Sequence, residues 1–316
     1  MIYKLKFTKE EIEENHKYFL ERISLYKSLG QDFTKSREFI LEKAEQLKGK
    51  MLEIGSGNGY MTLALAQAGH RFISIDNDAE SLRKSTLNLA YHGLLSNVEF
   101  HMMDGGAMSF ADRTFDNIIA VNMFHHIDRA DDMLSEIDRV LTSDGRLIAA
   151  DFNKKGMDII DSMHKKEERH HKNTGVTKEY IYSYFQNLGY VIGEFKDSCH
   201  WILVAKKKSK YFGRMNDPTA AASIKGPCGD EIEFYLVIDN KIIKDIKFYA
   251  EGCDDTIVCG DAVSRLVIGR SIDEALGISP KEVKDTLDDL PEDHSHCTIL
   301  AVSTLYRAIA DYLLKK

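Results

Sequence analysis

Three cysteines late in the chain stand in settings that favour metal binding. Cys228 lies in a Gly-Pro loop, Cys253 follows a glycine at a predicted helix start, and Cys297 opens the last predicted helix. At a helix start, exposed N–H groups and the helix dipole are expected to lower the thiol pKa and favour the metal-binding thiolate. Asp230 and His296 add oxygen and nitrogen ligands. Burial alone would not place glycine or acidic neighbours beside each cysteine, so we predict a metal site.

A second group of residues lies in the segment KMLEIGSGNGYMTLALAQAG, where a glycine turn joins an apolar strand to an apolar helix. Gly55, Gly57 and Gly59 form a G-x-G-x-G pattern, whereas the dinucleotide pattern needs its third glycine one position later. Glu53 precedes the turn, and we expect its carboxylate to face the pocket, repelling phosphate and favouring a cationic cofactor. Asp76, which ends the next predicted strand, can accept hydrogen bonds from a ribose diol.

The elements that must position this turn alternate between strands and helices. Strand patterns at RFISIDND, FDNIIAVNMF and GRLIAADF are separated by helical patterns, which predicts a mostly parallel sheet covered on both faces. Ligands of such sheets bind beyond the carboxyl ends of the strands, where the glycine turn lies. We therefore predict a doubly wound α/β domain with an N-terminal helical lid at 1–206.

The cysteine-containing part of the chain has a different order of elements. Apolar residues alternate over 232–238 and 246–248 around an Asp-Asn turn, which predicts an antiparallel hairpin. Helical patterns follow at about 254–268, 280–289 and 297–314. Strands followed by helices predict a smaller α+β domain, which we place at 225–316. All four prolines and four of the five cysteines lie after residue 210, and this shift predicts a linker at 207–224.

Composition limits the classes of partner. The net charge of −8 argues against a broad nucleic-acid face. By inspection, no stretch approaches the roughly 18 uncharged apolar residues of a membrane span, and the first residues lack a secretory apolar core. An odd cysteine count favours reduced thiols over a disulfide framework. We expect a cytoplasmic protein that binds neither nucleic acid nor membrane.

The first domain resembles the class I S-adenosylmethionine-dependent methyltransferases over about residues 30–206. The resemblance rests on LEIGSGNG, ISIDND, MDGGAMSFADRTFDNIIAVNMFHHI and EIDRVLTSDGRLIAADF, which occur in the family's order. It implies that the glycine turn wraps the methionine part of the cofactor and that Asp76 holds the ribose. It also implies that Asp104 with Gly105 borders the adenine and that Asn122 lines the pocket floor.

The catalytic residues of this domain are less clearly marked. Methyl transfer from a sulfonium depends chiefly on positioning, and a general base is needed only where the nucleophile must lose a proton. His125 and His126 follow the fourth strand and are the candidates. The alternative is that one packs beside the site and the other points away. The resemblance implies a small-molecule methyl acceptor, bound by variable helices such as 1–30 and 155–185.

The second domain resembles the IscU/NifU-type iron–sulfur cluster scaffold proteins over nearly all of 214–316. The matching motifs are GPCGD, EGCDDTIVCGDAVS and LPEDHSHCTILAVSTLYRAIADYL. By this resemblance Cys228, Cys253 and Cys297 hold an iron–sulfur cluster. Asp230 makes the cluster labile enough to transfer, and His296 is an occasional ligand. The implied partners are a cysteine desulfurase and apo iron–sulfur proteins, and the same ligands could hold zinc in the isolated protein.

Two features depart from that family's pattern. The stretch LPEDHSH lacks the lysine and the second proline of the chaperone recognition segment, which puts recognition by that chaperone in doubt. Cys259, six residues after Cys253, is an additional thiol. It is either a fourth ligand or sulfur acceptor, or a cysteine packed inside its helix.

Together these patterns predict a methyltransferase fused to an iron–sulfur scaffold domain, with methylation linked to sulfur or metal handling. An alternative from another class is an assembly or delivery protein whose first domain binds S-adenosylmethionine without turnover. A third reading is a methyltransferase whose metal domain only stabilises the chain or senses iron. Glu53, Asp76 and the glycines do not separate these alternatives, because each requires the same binding.

Overall fold

The computed structural model describes residues 7–166, 176–207, 209–287 and 290–315. The chain divides into two compact units, Met1–Lys208 and Ser209–Lys316. Part of the segment expected to bind the methyl acceptor, residues 167–175, lies outside the described residues.

The first unit is built on a seven-stranded sheet within the part of the chain that is described. Its strands are β1 (Met51–Ile54), β2 (Phe72–Asp76), β3 (Val98–Met102), β4 (Phe115–Val121), β5 (Leu141–Phe152), β6 (Val191–Lys196) and β7 (His200–Lys206). Their order is β3-β2-β1-β4-β5-β7-β6. Strands β1 to β5 are parallel, whereas β7 is antiparallel to both of its neighbours. The predicted doubly wound sheet is confirmed, and its order reverses between β1 and β4, where ligands of such sheets bind.

Helices cover this sheet. They are α1 (Lys9–Ser28), α2 (Phe33–Ala44), α3 (Tyr60–Gln67), α4 (Ala79–Tyr91), α5 (Ala130–Val140), α6 (Lys154–Lys166) and α7 (Lys178–Asn187). The central strands are buried almost throughout, with Leu52, Ile118 and Leu147 at 0% exposure. Strands covered on both faces need apolar residues at consecutive positions, which explains the unbroken apolar runs in their sequences.

The second unit contains an antiparallel sheet followed by helices. Its strands are β8 (Ala220–Lys225), β9 (Glu231–Asp239) and β10 (Ile242–Glu251), in the order β10-β9-β8. Its helices are α8 (Asp254–Val267), α9 (Ile272–Ala275), α10 (Pro280–Asp285) and α11 (Ser295–Leu314). Alternate residues of β9, from Ile232 to Ile238, are buried in the core. The predicted hairpin and its following helices are therefore confirmed.

The structure differs from the predicted linker at 207–224. Lys207 still donates its amide to the Gly145 carbonyl of the first unit, at 2.9 Å. In the second unit, Gly213 donates to the Phe248 carbonyl at 2.6 Å. Strand β8 pairs with β9 throughout its length. The sequence concealed this strand because its first residues, AAAS, are small and carry little strand signal.

Helix α11 is unusually apolar. The segment Glu292–Leu314 is long and apolar enough to cross a membrane by length and composition, so the expectation that no stretch approaches this limit is wrong. In the most apolar window of this segment, 56% is buried inside the protein. Leu300, Leu305 and Ile309 pack in the core of the second unit. The apolar composition is that of a core helix.

Candidate functional site

A cavity of about 640 Å³ lies at the carboxyl ends of the parallel strands of the first unit. Most residues predicted to bind a cofactor line it. They are Gly55, Gly57, Asp76, Asp104, Gly105 and Asn122, together with both candidate bases, His125 and His126. Two predicted residues, Glu53 and Gly59, do not line it.

The glycine turn requires left-handed backbone at each of its glycines. The φ angles are +84° at Gly55, +48° at Gly57 and +83° at Gly59. A Cβ atom at Gly57 would meet nothing within 4 Å, so this residue leaves room on the cavity side. A Cβ atom at Gly59 would lie 3.0 Å from the Cα of Ser85. The third glycine therefore permits close packing of α3 on α4 and does not line the cavity.

The expectation that the Glu53 carboxylate faces the pocket is wrong. The residue is 1% exposed, and its Oε2 accepts hydrogen bonds from Ser74 Oγ at 2.6 Å and Thr62 Oγ1 at 2.8 Å. Burial raises the pKa of Glu53 to about 7, against the effect of those two hydrogen bonds. A strand buried on both faces does not show in its sequence which face a given side chain takes.

Asp76 ends β2 and is oriented by its surroundings. Its Oδ2 accepts a hydrogen bond from the Gly57 amide at 2.9 Å, and its Oδ1 accepts one from the Asp78 amide at 2.9 Å. The Ser56 hydroxyl donates to Oδ2 at 3.3 Å. A carboxylate held this way has remaining lone pairs at the cavity and can accept further hydrogen bonds there.

Asn122, directly after β4, presents an unsatisfied group to the cavity. Its backbone is left-handed, at φ +57°, and its amide donates to the Ala150 carbonyl at 2.8 Å. Its Oδ1 is buried and has no hydrogen-bond partner among the described residues. A buried acceptor without a donor costs free energy, so this oxygen suits a donor group on a ligand.

Asp104 and Gly105 form the rim beyond β3. The Gly106 amide donates to Asp104 Oδ1 at 2.8 Å, which fixes the carboxylate. A Cβ atom at Gly105 would lie 2.7 Å from Met133 Cε, so a side chain there would displace the end of the Met133 side chain of α5. The Asp104 side chain is half exposed, with Arg129 Nη2 at 3.7 Å from its Oδ2.

His125 forms a buried pair with Asp151, a residue that the sequence did not single out. The Nδ1 atom of His125 lies 2.7 Å from Asp151 Oδ1, and the His125 amide donates to Oδ2 at 3.0 Å. The residues are 4% and 2% exposed. The carboxylate fixes the ring and favours the tautomer protonated at Nδ1. The ring of His126 is centred 4.0 Å from that of His125.

His125 also borders a second cavity of about 840 Å³. That cavity is lined by Phe152, Lys154, His200 and Trp201 among others. The His125–Asp151 pair thus lies in the wall between two cavities. At this position His125 can contact a ligand group bound in the first cavity.

In the second unit the structure brings two of the three predicted cysteine ligands together. Cys253 Sγ and Cys297 Sγ are 3.9 Å apart, and both thiols are free. Two sulfurs bound at about 2.3 Å to one tetrahedral ion would be about 3.8 Å apart, so the spacing fits a shared metal. Thr256 Oγ1, which the sequence did not indicate, lies 3.4 Å from Cys297 Sγ.

Asp230 reaches this pair from the loop before β9. Its Oδ2 accepts hydrogen bonds from the Cys253 amide at 3.1 Å and from Thr256 Oγ1 at 2.7 Å. The Thr256 hydroxyl is the main cause that lowers the pKa of Asp230, so this residue is a carboxylate at neutral pH. A Cβ atom at Gly252 would lie 2.3 Å from Asp230 Cγ, which explains the glycine before the cysteine.

Both histidines of the HSHC segment lie near the thiols. Ligand atoms of Cys253, His294 and Cys297 all lie within 4.8 Å of one another. His296 Nε2 lies 3.7 Å from Cys297 Sγ, and its Nδ1 is 2.9 Å from the Asp293 carbonyl. The sequence predicted His296 and missed His294, although both belong to the same four-residue signal.

The other two cysteines of this unit are placed differently. Cys228 is exposed in the turn closed by the Gly226 amide and the Asp230 carbonyl, at 2.7 Å, and it is not part of the group within 4.8 Å. Cys259 is 0% exposed in the core, where burial raises its pKa to about 12. This environment favours the packed-cysteine alternative for Cys259, because thiolate formation there is strongly opposed.

The expected lowering of the thiol pKa is wrong for Cys297. Burial raises the pKa of this thiol to about 11, and the neighbouring Cys253 and Asp230 raise it further, against the hydrogen bond from Thr256. Desolvation of the thiolate therefore outweighs the helix dipole at this position. A bound cation would reverse this balance, since a metal deprotonates a coordinating thiol.

Comparison with known proteins assigns each unit to a family. Residues 46–203 match the methyltransferase domain family, and residues 205–316 match the NifU-like N-terminal domain family. The chain is 35% identical over 104 residues to the iron-sulfur cluster assembly scaffold protein IscU 1 of Archaeoglobus fulgidus, covering 33% of this chain and 68% of that protein. It is 33% identical over 107 residues to IscU of Aquifex aeolicus, with the same coverage.

Solved structures were compared as well. A SAM-dependent methyltransferase from Aquifex aeolicus is 19% identical and covers 64% of this chain and 100% of its own, with a TM-score of 0.45. The PH0226 protein from Pyrococcus horikoshii is 21% identical and covers 57% and 93%, with a TM-score of 0.46. On the family matches and the IscU relatives, the chain belongs to the methyltransferase family through its first unit and to the NifU/IscU family through its second. It is a fusion of a methyltransferase domain with an iron–sulfur scaffold domain.

Proposed function

We propose that the first unit transfers a methyl group from S-adenosylmethionine to a small-molecule acceptor. The observation that carries this proposal is the Asn122 oxygen, which is buried at the cavity without a hydrogen-bond partner among the described residues. The open side of Gly57 and the oriented carboxylate of Asp76 add to it. These groups suit a ligand with a hydroxyl pair and polar N–H groups. The cofactor supplies an activated methyl group.

The residues of the chain then bind and orient. Asp76 accepts hydrogen bonds from a ribose diol, Asp104 and Gly105 border the base, and Asn122 lines the floor. Gly55 and Gly57 keep the turn free of side chains, and Gly59 keeps α3 close to α4. Glu53 supports this turn from within the core and not as a contact of the cofactor.

For an acceptor that must lose a proton, His125 is the base that the geometry favours. Asp151 accepts from Nδ1, so Nε2 carries the lone pair that takes up a proton. The buried carboxylate stabilises the imidazolium that results. His126 lines the same cavity, and its ring is centred 4.0 Å from that of His125, so we assign it a packing role beside His125.

We also propose that the second unit builds and transfers an iron–sulfur cluster as its cargo. Cys253 and Cys297 are the central ligands, supported by their 3.9 Å separation. Asp230 and Cys228 complete the set, with nitrogen from His296 or His294 as an exchangeable ligand. An oxygen ligand binds iron less firmly than a thiolate and therefore suits transfer. Zinc would fit the same sulfurs in isolated protein, and a cysteine desulfurase and apo iron–sulfur proteins are the proposed partners.

The covalent join carries the proposed link between the activities. Tethering raises the effective concentration of one site near the other without any new contact. A product of methylation, or the cofactor itself, would thereby be released close to the proposed cluster site of the second unit.

Replacement of Asp76 tests the cofactor assignment. Asp76→Asn should weaken binding of S-adenosylhomocysteine by tenfold or more, because charge-assisted hydrogen bonds contribute about 1.5–3 kcal/mol each. Isothermal titration calorimetry measures this, with Glu13→Gln, an exposed carboxylate of α1, as the matched control. Unchanged affinity in Asp76→Asn would exclude the ribose assignment, and no binding to the parent chain would exclude the cofactor.

A further inference from the structure

Arg37 of α2 is a buried cation with two nitrogen donors that make no hydrogen bond to the described residues. It is 4% exposed and lines the first cavity. Its Nε and Nη1 atoms are buried and form no hydrogen bond with any described residue. Its guanidinium lies over the face of Phe33, whose ring centre is 5.2 Å from the guanidinium carbon.

Two half-buried arginines of the same unit have hydrogen-bond or ion-pair partners. Arg146 of β5 donates to the carbonyls of Ala44 and Gln46 and to the side chain of Asn117. Arg139 of α5 pairs with Glu136 and Asp112. Burying a charged group without hydrogen bonds is unfavourable in general. The unbonded donors of Arg37 at a cavity therefore indicate that a ligand group binds there.

The charge of Arg37 persists despite its burial. Burial lowers its pKa to about 10, and Asp197, Glu53 and Asp151 oppose the shift from a distance. The guanidinium therefore remains protonated at neutral pH. Since Nε and Nη1 make no hydrogen bond to the described residues, these two donors stay available to a group that enters the cavity.

The same wall of the cavity is aromatic. Tyr26, Phe33, Tyr60 and Phe152 line it, and the rings of Phe33 and Tyr60 stack with centres 4.7 Å apart. Arg22 also lines this wall, and its guanidinium is engaged by the hydroxyls of two tyrosines of α1, at 3.1 and 2.9 Å. A flat or apolar body fits such rings, and an acid group fits the cation among them.

We propose that Arg37 binds a carboxylate group inside this cavity, and that the methyl acceptor is an acid with an aromatic or apolar body. The identification of the ligand as an acceptor rests on the proposed methyl transfer, whereas the carboxylate site itself does not. The methionyl carboxylate of the cofactor has the same chemistry, so the experiment must separate the two sources. Arg37 contacts the ligand and positions it, and it takes no part in proton transfer.

The first measurement concerns stability without ligand. Arg37→Met removes an uncompensated buried charge and keeps most of the volume, so the melting temperature of the first unit should rise by about 2 °C or more. Trp201, the single tryptophan of the chain, reports this unit by fluorescence. Arg146→Met is the matched control, and it should lower the melting temperature because bonded donors are lost. A fall in Arg37→Met would show a structural role and overturn the proposal.

The second measurement separates the ligands by calorimetry. Benzoate is titrated into protein saturated with S-adenosylhomocysteine, and S-adenosylhomocysteine and 5′-methylthioadenosine, which lacks the carboxylate, are titrated into free protein. A tenfold or greater loss of benzoate affinity in Arg37→Met, with both nucleosides unchanged, supports the acidic acceptor. A similar loss confined to S-adenosylhomocysteine supports the carboxylate site and overturns the acceptor assignment.

Two further outcomes are decisive. If all three affinities in Arg37→Met equal those of the parent chain, Arg37 binds no carboxylate and the proposal is wrong. If the parent chain binds neither nucleoside yet binds benzoate through Arg37, the cofactor assignment fails while the carboxylate site stands. The failure of one proposal is thus distinct from the failure of the other.

Discussion

Glu53 and Asp76 are carboxylates on neighbouring parallel strands, yet their surroundings give them different roles. Glu53 is sealed in the core with two hydroxyl donors, and its pKa is raised to about 7. Asp76, at the strand end, is held by two backbone amides and borders the cavity. Environment and not residue type decides which carboxylate contacts a ligand.

The raised pKa of Glu53 predicts a pH dependence of stability. Its folded pKa of about 7 exceeds the ordinary value of 4.5, so the folded state binds the proton more tightly. The resulting stabilisation is fully present below pH about 4.5 and is lost as the pH rises through 7. Between pH 5 and 8 the unfolding free energy of the first unit should fall by on the order of 2–3 kcal/mol more in the parent chain than in Glu53→Gln.

Urea unfolding followed by Trp201 fluorescence measures this difference at each pH. Glu13→Gln, which changes an exposed carboxylate of α1, is the control and should keep the parental slope. A Glu53→Gln variant with the parental slope would show that Glu53 is ionised in the folded protein throughout this range.

For single residues, the sequence identified which positions belong to the sites better than it identified where their side chains point. The glycines, Asp76, Asn122 and the cysteines were found because their types and spacing are local signals. The direction of Glu53 and the pairing of His125 with Asp151 depend on packing between separate strands, which no local pattern records. Arg37 was missed for the same reason, since a single arginine in a helix is ordinarily solvated.

Among the elements, α8 begins in an uncommon way. Its N-cap is Cys253, whose side chain makes no capping hydrogen bond. The capping oxygen comes from Asp230, which accepts from the Cys253 amide and from the Thr256 hydroxyl in the first turn. One carboxylate therefore both starts the helix and stands beside the thiols.

This double role predicts two effects of Asp230→Ala. Loss of a cap costs about 1 kcal/mol, so amide exchange in residues 253–267 should accelerate severalfold, as hydrogen–deuterium exchange mass spectrometry will report. After anaerobic reconstitution with iron and sulfide, removal of a weak oxygen ligand should leave a longer-lived cluster that is slower to reach an apo-acceptor. Cluster absorbance against time gives the second readout.

Two variants serve as references for this experiment. Cys253→Ser should abolish or severely weaken cluster uptake, because a hydroxyl stays protonated where a metal deprotonates a thiol. Cys199→Ser, in the first unit, should take up cluster as the parent chain does. Faster cluster loss in Asp230→Ala would contradict the labilising role, and uptake of zinc alone by the parent chain would contradict the scaffold assignment.

The order of elements in the first unit was predictable, because parallel strands alternating with helices allow few topologies. In the second unit, the sequence did not indicate strand β8. The hairpin of β9 and β10 carries an apolar alternation, interrupted in β10 by a register shift between Ile243 and Asp245. Strand β8 instead has mostly small residues and is defined by its register against β9. An edge strand of this kind is set by pairing more than by its own side chains.

For the whole molecule, the join between the units is short. Lys207 bonds within the first unit and Ser209 bonds to Asp261 within the second. We propose that residues 220–225 resist cleavage by a protease, because they form a strand of a sheet. Each unit has its own core, so we expect each to unfold as a separate cooperative body.

That expectation yields a prediction for the intact chain. S-adenosylhomocysteine at about 100 times its Kd should raise the melting temperature of the transition seen by Trp201 by about 5–10 °C, because ligand binding stabilises the folded state by mass action. The same ligand should not change the melting temperature of the second unit, which far-ultraviolet circular dichroism follows. Zinc should raise the melting temperature of the second unit and leave that of the first unit unchanged.

These ligands distinguish a tether from a coupled assembly. Asp76→Asn should remove the shift caused by the nucleoside, and Cys253→Ser should remove the shift caused by zinc, each without effect on the other. If the units are only tethered, the benefit of fusion is a local concentration, set by a join of few residues. A shift of both transitions by one ligand would mean instead that the sites share a coupling free energy, and by linkage zinc would then alter the affinity for the nucleoside by the same factor.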